Sequence, residues 1–586
     1  DAMVSAMGHP INLAAARQAL KNRQPRKARQ LANQECQRYQ QSIQEKLGAT
    51  MAFHCIVSGI GKDGTNGALA PYMPELAIRE PAALLLKKGS GAFRVALNRG
   101  VLVNAEQTYL IVSGSLKLKV LGRFEMEETA DFEQTVLETP LRLLRETREI
   151  AEKIYIFADE QSLHFDETRF EYCERGQLVQ NKAETRLGDE DNGVHILLLH
   201  GFMGLFSFAN LLIRLPSSWT VSALHRGSRA KFMENDEIFP HYARALRKAI
   251  LNQWRKGRPV PVAGHSIAGV ISDHLLLSLL KTYDSDIPSY DKLKAEDRPL
   301  VDALRVGGII HLATWSPCDG PNTGENVKSL MAHLRHNAEL DYTGFETIYQ
   351  HDETGKLVPS HADALADSAE NLAGLDRFLR GPLSRPLING MTVGLRKMLD
   401  TRSVQQRFLN ADMPYVLRLV GSRLLRTASL YGMAKEVNAA LHNPVEYQNR
   451  HLKALEIMLA YDIPFLSIVH QDDFLVSAGR HREEHAYLVA RRMDKEGVKR
   501  EEDLATPCRL VIRPREADEL APDPLNPHLL VMSTNREGSS MARQITAAMT
   551  RFVNENLVRA IREKRVEPLT SVARWQRKHG RGKSRK

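Results

Sequence analysis

The sequence predicts a protein of the α/β class, built around a mostly parallel β-sheet. From about residue 165 onwards, short continuous apolar runs alternate with longer helix-forming segments. Such strand–helix repetition is typical of a parallel sheet that is covered by helices on both faces. The chain has 586 residues, which is too long for one ordinary core. We therefore expect two domains, or one large domain with insertions.

The strands of this sheet are predicted from apolar runs of strand length, and the helices from the amphipathic segments between them. An opening hairpin is predicted around Arg169–Cys173, and the strands after it are 194–200, 219–224, 260–264, 306–313, 463–469 and 508–512. The predicted helices are 206–215, 242–254, 267–280, 478–496 and 538–556.

The alternation stops after Pro317 and returns at Ile463, which divides the chain. We predict a sheet domain made of 165–317 and 462–557, a helical insertion over 318–461, and a basic C-terminal tail over 558–586. Residues 1–160 form an unassigned, mixed α+β region of unknown role. Within it, polar helix-forming sequence covers 10–48, β-like runs lie at 93–97, 109–113 and 116–121, and helix returns over 132–158. The alternation in 116–121 predicts a half-exposed antiparallel strand.

The composition is that of an ordinary globular protein, with 43% hydrophobic and 26% charged residues. The five cysteines are scattered and form no CxxC pair. This favours free thiols in a reducing compartment, and so a cytoplasmic protein. No apolar run is long enough to span a bilayer. We expect no metal and no cofactor.

The net charge of +10 is concentrated in part at the C-terminal end, where Arg574–Lys586 contains no acidic residue. Such a tail is ordinarily a solvated terminus. A peripheral contact with an anionic membrane, through the tail or the insertion, stays open. In the insertion, residues 417–426 mix apolar and arginine residues at helical spacing. They would face either a lipid surface or the protein core. Nucleic acid is not an expected partner.

One short segment has the pattern of a reactive serine on a strand-to-helix turn. In Val262-Ala-Gly-His-Ser-Ile-Ala-Gly269, Ser266 follows an apolar strand and precedes an apolar helix. Its hydroxyl is therefore expected at the end of the sheet. Small residues are needed two positions before and two after the serine, because the backbone folds tightly there. Gly264 and Ala268 meet this requirement, with Ala268 standing where glycine is commoner.

A second segment, Leu197-Leu-Leu-His-Gly-Phe-Met-Gly204, ends a predicted strand upstream of the serine. Together the two segments resemble the α/β-hydrolase superfamily, over roughly residues 165–557. The resemblance implies an α/β-hydrolase fold in which the insertion after the sixth strand forms a large helical cap. It also implies an oxyanion hole made by the backbone N–H groups of Phe202 and Ile267. The residues that support these two turns are then His200, Gly201, Gly264, His265 and Ala268.

The same resemblance implies a catalytic triad of Ser266, Asp473 and His528. Asp473 lies on the turn after the strand at 463–469, with Asp472 as the alternative acid. His528 lies downstream of the last strand, and no other histidine occurs between His485 and His579. In such a triad the histidine takes the serine proton, and the acid orients the imidazole.

The function predicted from these residues is that of a serine hydrolase cleaving a carboxylic ester of an apolar or bulky acyl group. A thioesterase or an acyltransferase would use the same triad, so both stay open as alternatives. The non-enzymatic alternative is a hydrolase-like module that only binds its ligand. The sequence does not distinguish these by substrate.

Two further motifs receive an ordinary structural interpretation. His481-Arg-Glu-Glu-His485 has the spacing of a zinc-binding helix, but its mixed charge suits an exposed helix face. Gly59-Ile-Gly-Lys-Asp-Gly64 has the spacing of a dinucleotide-binding turn. Because the sequence after it is a poor helix start, we interpret it as a glycine-rich turn.

Overall fold

The fold is described from a computed structural model, in which the chain divides into two compact units, Asp1–Phe165 and Asp166–Lys586. The structure describes residues 12–48, 52–61, 64–66, 69, 73–78, 83–87, 93–113, 117, 120–121, 124, 136, 140–159, 172–174, 177–179, 194–201, 211, 214–215, 219–224, 233–282, 285–315, 349–353, 357–359, 381, 387, 435–436, 438–440, 444–471, 473, 476, 478–513 and 541–563. Each unit is described by itself.

The first unit begins with a helical hairpin, α1 (Ala14–Lys21) and α2 (Pro25–Leu47). Pro25 starts α2, at the position where its missing N–H costs nothing. One face of α2 is buried at positions three or four apart, so the helix packs on one side and is solvated on the other. Its buried residues are Ala28, Ala32, Cys36, Tyr39 and Ile43. The helical prediction for 10–48 agrees with this hairpin over the described residues.

A three-stranded parallel sheet forms the centre of the first unit. Its strands are β1 (Cys55–Gly59), β4 (Gln107–Val112) and β5 (Ile154–Ala158), in the order β1-β4-β5. Ile56 and Leu110 are buried on one face, whereas Val57, Ile111 and Phe157 are exposed on the other. An antiparallel pair, β2 (Ala83–Lys87) and β3 (Phe93–Leu97), and two short helices, α3 (Arg99–Val103) and α4 (Arg148–Ala151), complete the described elements of this unit.

Two predictions for the first unit are wrong. Residues 154–158 form strand β5 and not the end of a helix. Where 116–121 was predicted to be an antiparallel strand, Val120 and Leu121 are helical and buried. Both segments are short, and periodicity alone separates strand from helix poorly at that length.

The second unit contains a six-stranded sheet in the order β15-β14-β11-β10-β8-β9, and every neighbouring pair in it is parallel. The mixed α/β class with parallel sheets is thus confirmed. The strands are β8 (His195–Leu199), β9 (Thr220–Leu224), β10 (Val262–His265), β11 (Ile309–Leu312), β14 (Phe465–His470) and β15 (Cys508–Arg513). Two antiparallel pairs lie outside this sheet: β6 (Tyr172–Glu174) with β7 (Gln177–Val179), and β12 (Tyr349–His351) with β13 (Leu357–Pro359).

The described helices of the second unit alternate with the strands of its sheet. They are α5 (Asn235–Arg255), α6 (Gly269–Leu277), α7 (Arg298–Gly307), α8 (Pro444–Ala460), α9 (Ala478–Glu496) and α10 (Met541–Arg562). The apolar faces of α5 to α9 and the central strands form one continuous core, to which Phe239, Leu246, Ile271, Leu304 and Leu455 belong.

Most of the predicted helical insertion, 318–461, lies outside the described residues. Within it, the structure shows the antiparallel pair of β12 and β13 in place of helix. The end of this stretch forms α8, whose Ala454, Leu455 and Ile457 are completely buried in the core of the unit. This part of the predicted cap is therefore part of the packed layer around the sheet. Among the helices in the described part of the chain, none is long and apolar enough to cross a membrane.

Candidate functional site

Ser266 lies where β10 ends and a short 3-10 turn, Ser266–Ala268, leads into α6. Its backbone is left-handed, with a φ of 55°, a conformation that is strained for a residue with a side chain. The side chain is buried, with a residue exposure of 7%. Strained backbones of this kind are concentrated at active sites and ligand clamps. The predicted turn is thus present, with Gly264 and His265 ending the strand.

The neighbouring strand β8 brings a second predicted element beside Ser266. His200 and Gly201 follow β8, which pairs with β10. A Cβ atom placed on Gly201 would lie 2.8 Å from the Ser266 Cβ and 2.7 Å from the His265 Nδ1. Only glycine allows the two turns to approach this closely. The side chain of His200 is buried, and its Nδ1 lies 2.9 Å from the Gly201 carbonyl oxygen.

The structure places Asp473 at the same edge of the sheet, three residues beyond the end of β14. It is buried, and its Oδ1 accepts a hydrogen bond of 3.1 Å from the Val476 N–H. This contact is that of a side chain closing its own turn. The backbone of Ile267 lies in the 3-10 turn. Phe202, Asp472 and His528 lie outside the described residues.

A buried cluster of four charged side chains lies close to this turn, and the sequence did not predict it. His451 of α8 lies between two carboxylates, with its Nδ1 2.9 Å from Asp273 and its Nε2 2.9 Å from Glu484. Arg480 donates to the same Glu484 oxygen at 2.7 Å. Two positive and two negative charges thus balance each other inside the protein, which is the condition for burying them.

The charge states in the cluster follow from these contacts. Burial alone would lower the pKa of His451, but the carboxylates of Asp273 and Glu484 outweigh it and raise the pKa to about 10. Burial would raise the pKa of Glu484, yet Arg480 and His451 hold it well below its usual range. The imidazole of His451 is therefore a charged donor at both nitrogens.

His481 adjoins the cluster as a neutral side chain. Burial and the neighbouring guanidinium of Arg480 hold its pKa well below its usual range. Arg480 donates to the His481 Nε2 at 3.0 Å, so the proton is on Nδ1, which donates to the Ser467 Oγ at 2.6 Å. The segment 481–485 was predicted to form an exposed helix face, but His481 and Glu484 are each 1% exposed. In the described part of the chain, no cluster of side chains could hold a metal ion.

The first unit has a candidate site of its own at the glycine-rich turn after β1. The Gly61 N–H donates to the Thr65 carbonyl at 2.8 Å, and the Gly64 N–H donates to the Gly61 carbonyl at 3.1 Å. Gly64 has a φ of 89°, which only glycine adopts without strain. The turn therefore needs glycine at position 64 for its backbone geometry.

Two polar side chains meet this turn. Asn66 is 1% exposed, and its Oδ1 accepts a hydrogen bond of 2.6 Å from the Ser58 Oγ. Its Nδ2 has no hydrogen-bond partner among the residues that the structure describes. Lys117, five residues beyond the end of β4, donates to the Ile60 carbonyl. Because β1 and β4 are parallel neighbours, their carboxyl ends bring the glycine turn and the lysine together.

Comparison with known families changes the assignment. The model of the family described as glucosamine-6-phosphate isomerases/6-phosphogluconolactonase matches residues 5–152, which lie within the first unit. No curated protein matches the chain. The match supports the coarser prediction, that the chain is an enzyme, over the alternative of a module that only binds.

The same match overturns the predicted family and function. The family found is not the α/β-hydrolase superfamily, so the resemblance stated for 165–557 is corrected. The prediction of a serine esterase with a lipase-like triad is corrected with it, as are the thioesterase and acyltransferase alternatives. The glycine-rich turn of the first unit is followed by a poor helix start, so its sequence pattern is weaker than that of the serine turn.

Several solved structures are similar to the chain, but only weakly. A soluble variant of monoglyceride lipase from Saccharomyces cerevisiae is 11% identical, with a TM-score of 0.29, over 63% of this chain and 89% of that one. A haloalkane dehalogenase variant from Bradyrhizobium elkanii is 12% identical, with a TM-score of 0.32, over 64% and 93%. An esterase from Thermogutta terrifontis is 13% identical, with a TM-score of 0.29, over 62% and 91%. TM-scores this low carry no argument about function. Over its first unit, the chain is similar to the family of glucosamine-6-phosphate isomerases and 6-phosphogluconolactonases.

Proposed function

We propose that this chain is an enzyme acting on a phosphorylated sugar, as an isomerase or as a lactonase. We place its site in the first unit, at the carboxyl edge of β1 and β4. The observation that carries the proposal is the family match over residues 5–152. That range includes both the glycine-rich turn and Lys117.

The chemistry of this edge supports a phosphate ligand. The Gly61 and Gly64 N–H groups are used within the turn, so the support comes from the lysine beside it. The ammonium group of Lys117 adds a full positive charge beside the Ile60 carbonyl. Lysine is a common partner of phosphate groups in proteins, where it acts as a point charge.

Asn66 supports a sugar ligand at the same place. A buried amide N–H without a partner is costly, on the order of 1–3 kcal/mol. Its retention in this turn is explained if a ligand oxygen accepts from it. A sugar hydroxyl or a phosphate oxygen has the required chemistry. Asn66 is held ready for that role because Ser58 fixes the other end of its amide group.

The test is an activity assay of the whole chain with glucosamine 6-phosphate and with 6-phosphogluconolactone, for wild type and Lys117→Gln. We expect one of the two to be turned over. We expect the variant to lose roughly tenfold to a hundredfold in kcat/KM, the value of a hydrogen bond to a charged group. Because phosphate binding is affected, the loss should appear mainly in KM.

The matched control is Lys153→Gln. Lys153 is exposed and stands immediately before β5, at the amino edge of the same sheet. Its replacement should leave the activity within about twofold of wild type, since exposed charges away from a site contribute little. Turnover of neither substrate, or equal losses in both variants, would refute the proposed site.

The predicted site residues of the second unit stay a separate proposal. We propose that Ser266 is a reactive nucleophile and that Asp473 (or Asp472) and His528 belong to the same site. The strained, buried turn and its close approach to Gly201 support this. The proposal names no substrate, and the carboxylic ester assigned from sequence is not part of it.

The finer predictions about organisation also stay proposals. They are a helical cap within 318–461, a cytoplasmic location, and a peripheral contact between the basic tail, 558–586, and an anionic membrane. Their support is compositional: the scattered cysteines for the location, and the run of basic residues for the tail.

A further inference from the structure

We propose that Arg480 is a positioning residue for Ser266, and that the buried charged cluster around it holds the serine turn in its strained conformation. The inference rests on the proposal that Ser266 is reactive. It concerns a different question, namely what keeps the turn in place.

The backbone of Ser266 is held from both sides by one short segment. The Ser266 N–H donates to the Ala313 carbonyl at 3.1 Å, and the Trp315 N–H donates to the Ser266 carbonyl at 3.0 Å. Ala313 is itself left-handed, with a φ of 44°. Two strained, non-glycine residues thus hydrogen-bond to each other at the ends of neighbouring strands. Such a pair persists only where surrounding contacts over-determine it.

Arg480 supplies one of these contacts. Its guanidinium donates to the carbonyl of Thr314, the residue between the two that hold Ser266. The same guanidinium donates to Glu484 and to His481. A planar guanidinium with three separate acceptors has little freedom to move. The hydrogen bond from Arg480 on α9 therefore fixes the Thr314 carbonyl, and with it the segment 313–315.

The cluster also reaches the other side of the turn. Glu484 pairs with His451, and His451 pairs with Asp273 on α6, the helix that starts three residues after Ser266. Gly269, the first residue of α6, packs against Thr314, where an added Cβ would lie 2.9 Å from the Thr314 Cβ. Both chain segments that meet at Ser266 are thus joined to one set of buried ion pairs.

Fixed geometry of this kind is what a nucleophile needs, because a displacement of about 1 Å of a reacting group can cost a hundredfold in rate. The cluster is therefore expected to affect the reactivity of Ser266 without touching it. A different buried arginine on the same helix allows the two roles of such a residue, positioning and general stability, to be separated.

That arginine is Arg492, which is also 1% exposed. Its guanidinium donates to the carbonyls of Thr506, Pro507 and Ile463. None of these is in the segment 313–315. Arg492→Lys therefore removes an equally buried guanidinium from α9 and leaves the support of Ser266 in place.

The experiment uses the full chain and compares wild type, Arg480→Lys and Arg492→Lys. Two readouts are followed: the rate at which a fluorophosphonate labels Ser266, and the hydrogen exchange of peptides covering 262–268 and 313–316. For Arg480→Lys we expect labelling to fall at least about tenfold, with faster exchange in both peptides. For Arg492→Lys we expect both readouts to stay within about twofold of wild type, even if its unfolding temperature falls as far as that of Arg480→Lys.

Rescue by a small molecule gives a second test. In Arg480→Ala, added ethylguanidinium should restore part of the labelling rate by filling the vacated site, and in Arg492→Ala it should not. If Arg480→Lys does not fold, Glu484→Gln takes its place, because it keeps the side-chain volume and removes the charge that orients Arg480.

The proposal is overturned if the Arg480 and Arg492 variants lose labelling equally, or if exchange at 262–268 and 313–316 is unchanged in Arg480→Lys. A wild type that takes no label at all would refute Ser266 as a nucleophile. The exchange readout then decides the positioning role by itself, so the two failures are distinguishable.

Discussion

Ser266 and Ala313 show how much strain single residues carry at this sheet edge. A left-handed backbone costs a residue with a Cβ roughly 1–2 kcal/mol, and both residues adopt it while buried. They are tolerated because hydrogen bonds fix each of them, including one of 2.7 Å from the Ala313 N–H to the Ile468 carbonyl. At the residue scale, the candidate site of the second unit is thus defined by backbone geometry as much as by its side chains.

His451 gives the second unit a predicted pH dependence. Its folded pKa of about 10 lies above the ordinary histidine value of 6.5. The charged form is therefore favoured by folding. Its contribution to stability is complete below pH 6.5 and is lost as the pH rises through 10. We expect this loss to be on the order of several kcal/mol, measured as a falling urea midpoint of the second unit between pH 6.5 and 10.

The variant that isolates this effect is His451→Gln, which cannot be charged. It leaves Asp273 and Glu484 with fewer positive partners, so it should be less stable than wild type at pH 6.5, by roughly 3–5 kcal/mol. Its stability should then change much less between pH 6.5 and 10. An alkaline loss of the same size in both proteins would assign it to other groups.

At the scale of elements, the end of α7 shows how closely the helices pack on the sheet. A Cβ on Gly307 would lie 2.1 Å from the Val260 carbonyl oxygen, whereas around Gly497 at the end of α9 there is nothing within 4 Å. Val260 belongs to the segment that leads into β10. The absence of a side chain at Gly307 therefore sets the distance between the helix and the strand that carries Ser266.

Gly307→Ala is accordingly expected to destabilise the second unit by roughly 2–3 kcal/mol or more, because backbone atoms must move to make room. Gly497→Ala is the control. It has a φ of 68° and open space around it, so only the backbone cost of about 1 kcal/mol applies. Urea unfolding of both variants measures the difference. Equal effects would show that the helix moves away without cost.

At the scale of the whole molecule, the two candidate sites belong to different compact units. The glycine-rich turn and Lys117 lie in the first, and the Ser266 turn with its buried cluster lies in the second. Each site has its own sheet, its own strand ends and its own charged groups. Their chemistries are therefore expected to be separable by single substitutions.

We expect Ser266→Ala to abolish fluorophosphonate labelling while leaving turnover of the phosphorylated sugar within about twofold of wild type. Lys117→Gln should do the reverse, since substitutions at sites that share no partners usually act independently. Both readouts are taken on the same preparations of the full chain. A loss of both readouts in either variant would contradict the separation.

Much of the second unit was predictable from local pattern. Helix α9 was predicted at its observed bounds, 478–496, and strands β8, β9 and β14 within a few residues. Continuous apolar runs indicate buried parallel strands because both faces of such a sheet are covered. The turn at Ser266 was equally local, since it needs only small residues and a strand–helix junction. The secondary structure of the first unit was harder to predict, because its short apolar segments fit a strand or a helix equally well.

The sequence by itself determined the α/β class, the order of strands and helices in the second unit, and the turn that presents Ser266. Only the tertiary structure decided which charges meet. His451 is 178 residues from Asp273 and 33 residues from Glu484 along the chain, so no local sequence pattern predicts their pairing. The charged face of α9 was predicted to be exposed because its buried partners, His451 and Asp273, lie on other helices and are not visible in the local sequence. A charge is stable in the interior only when it has partners, and the fold brings His451 and Asp273 to Glu484 from two other helices.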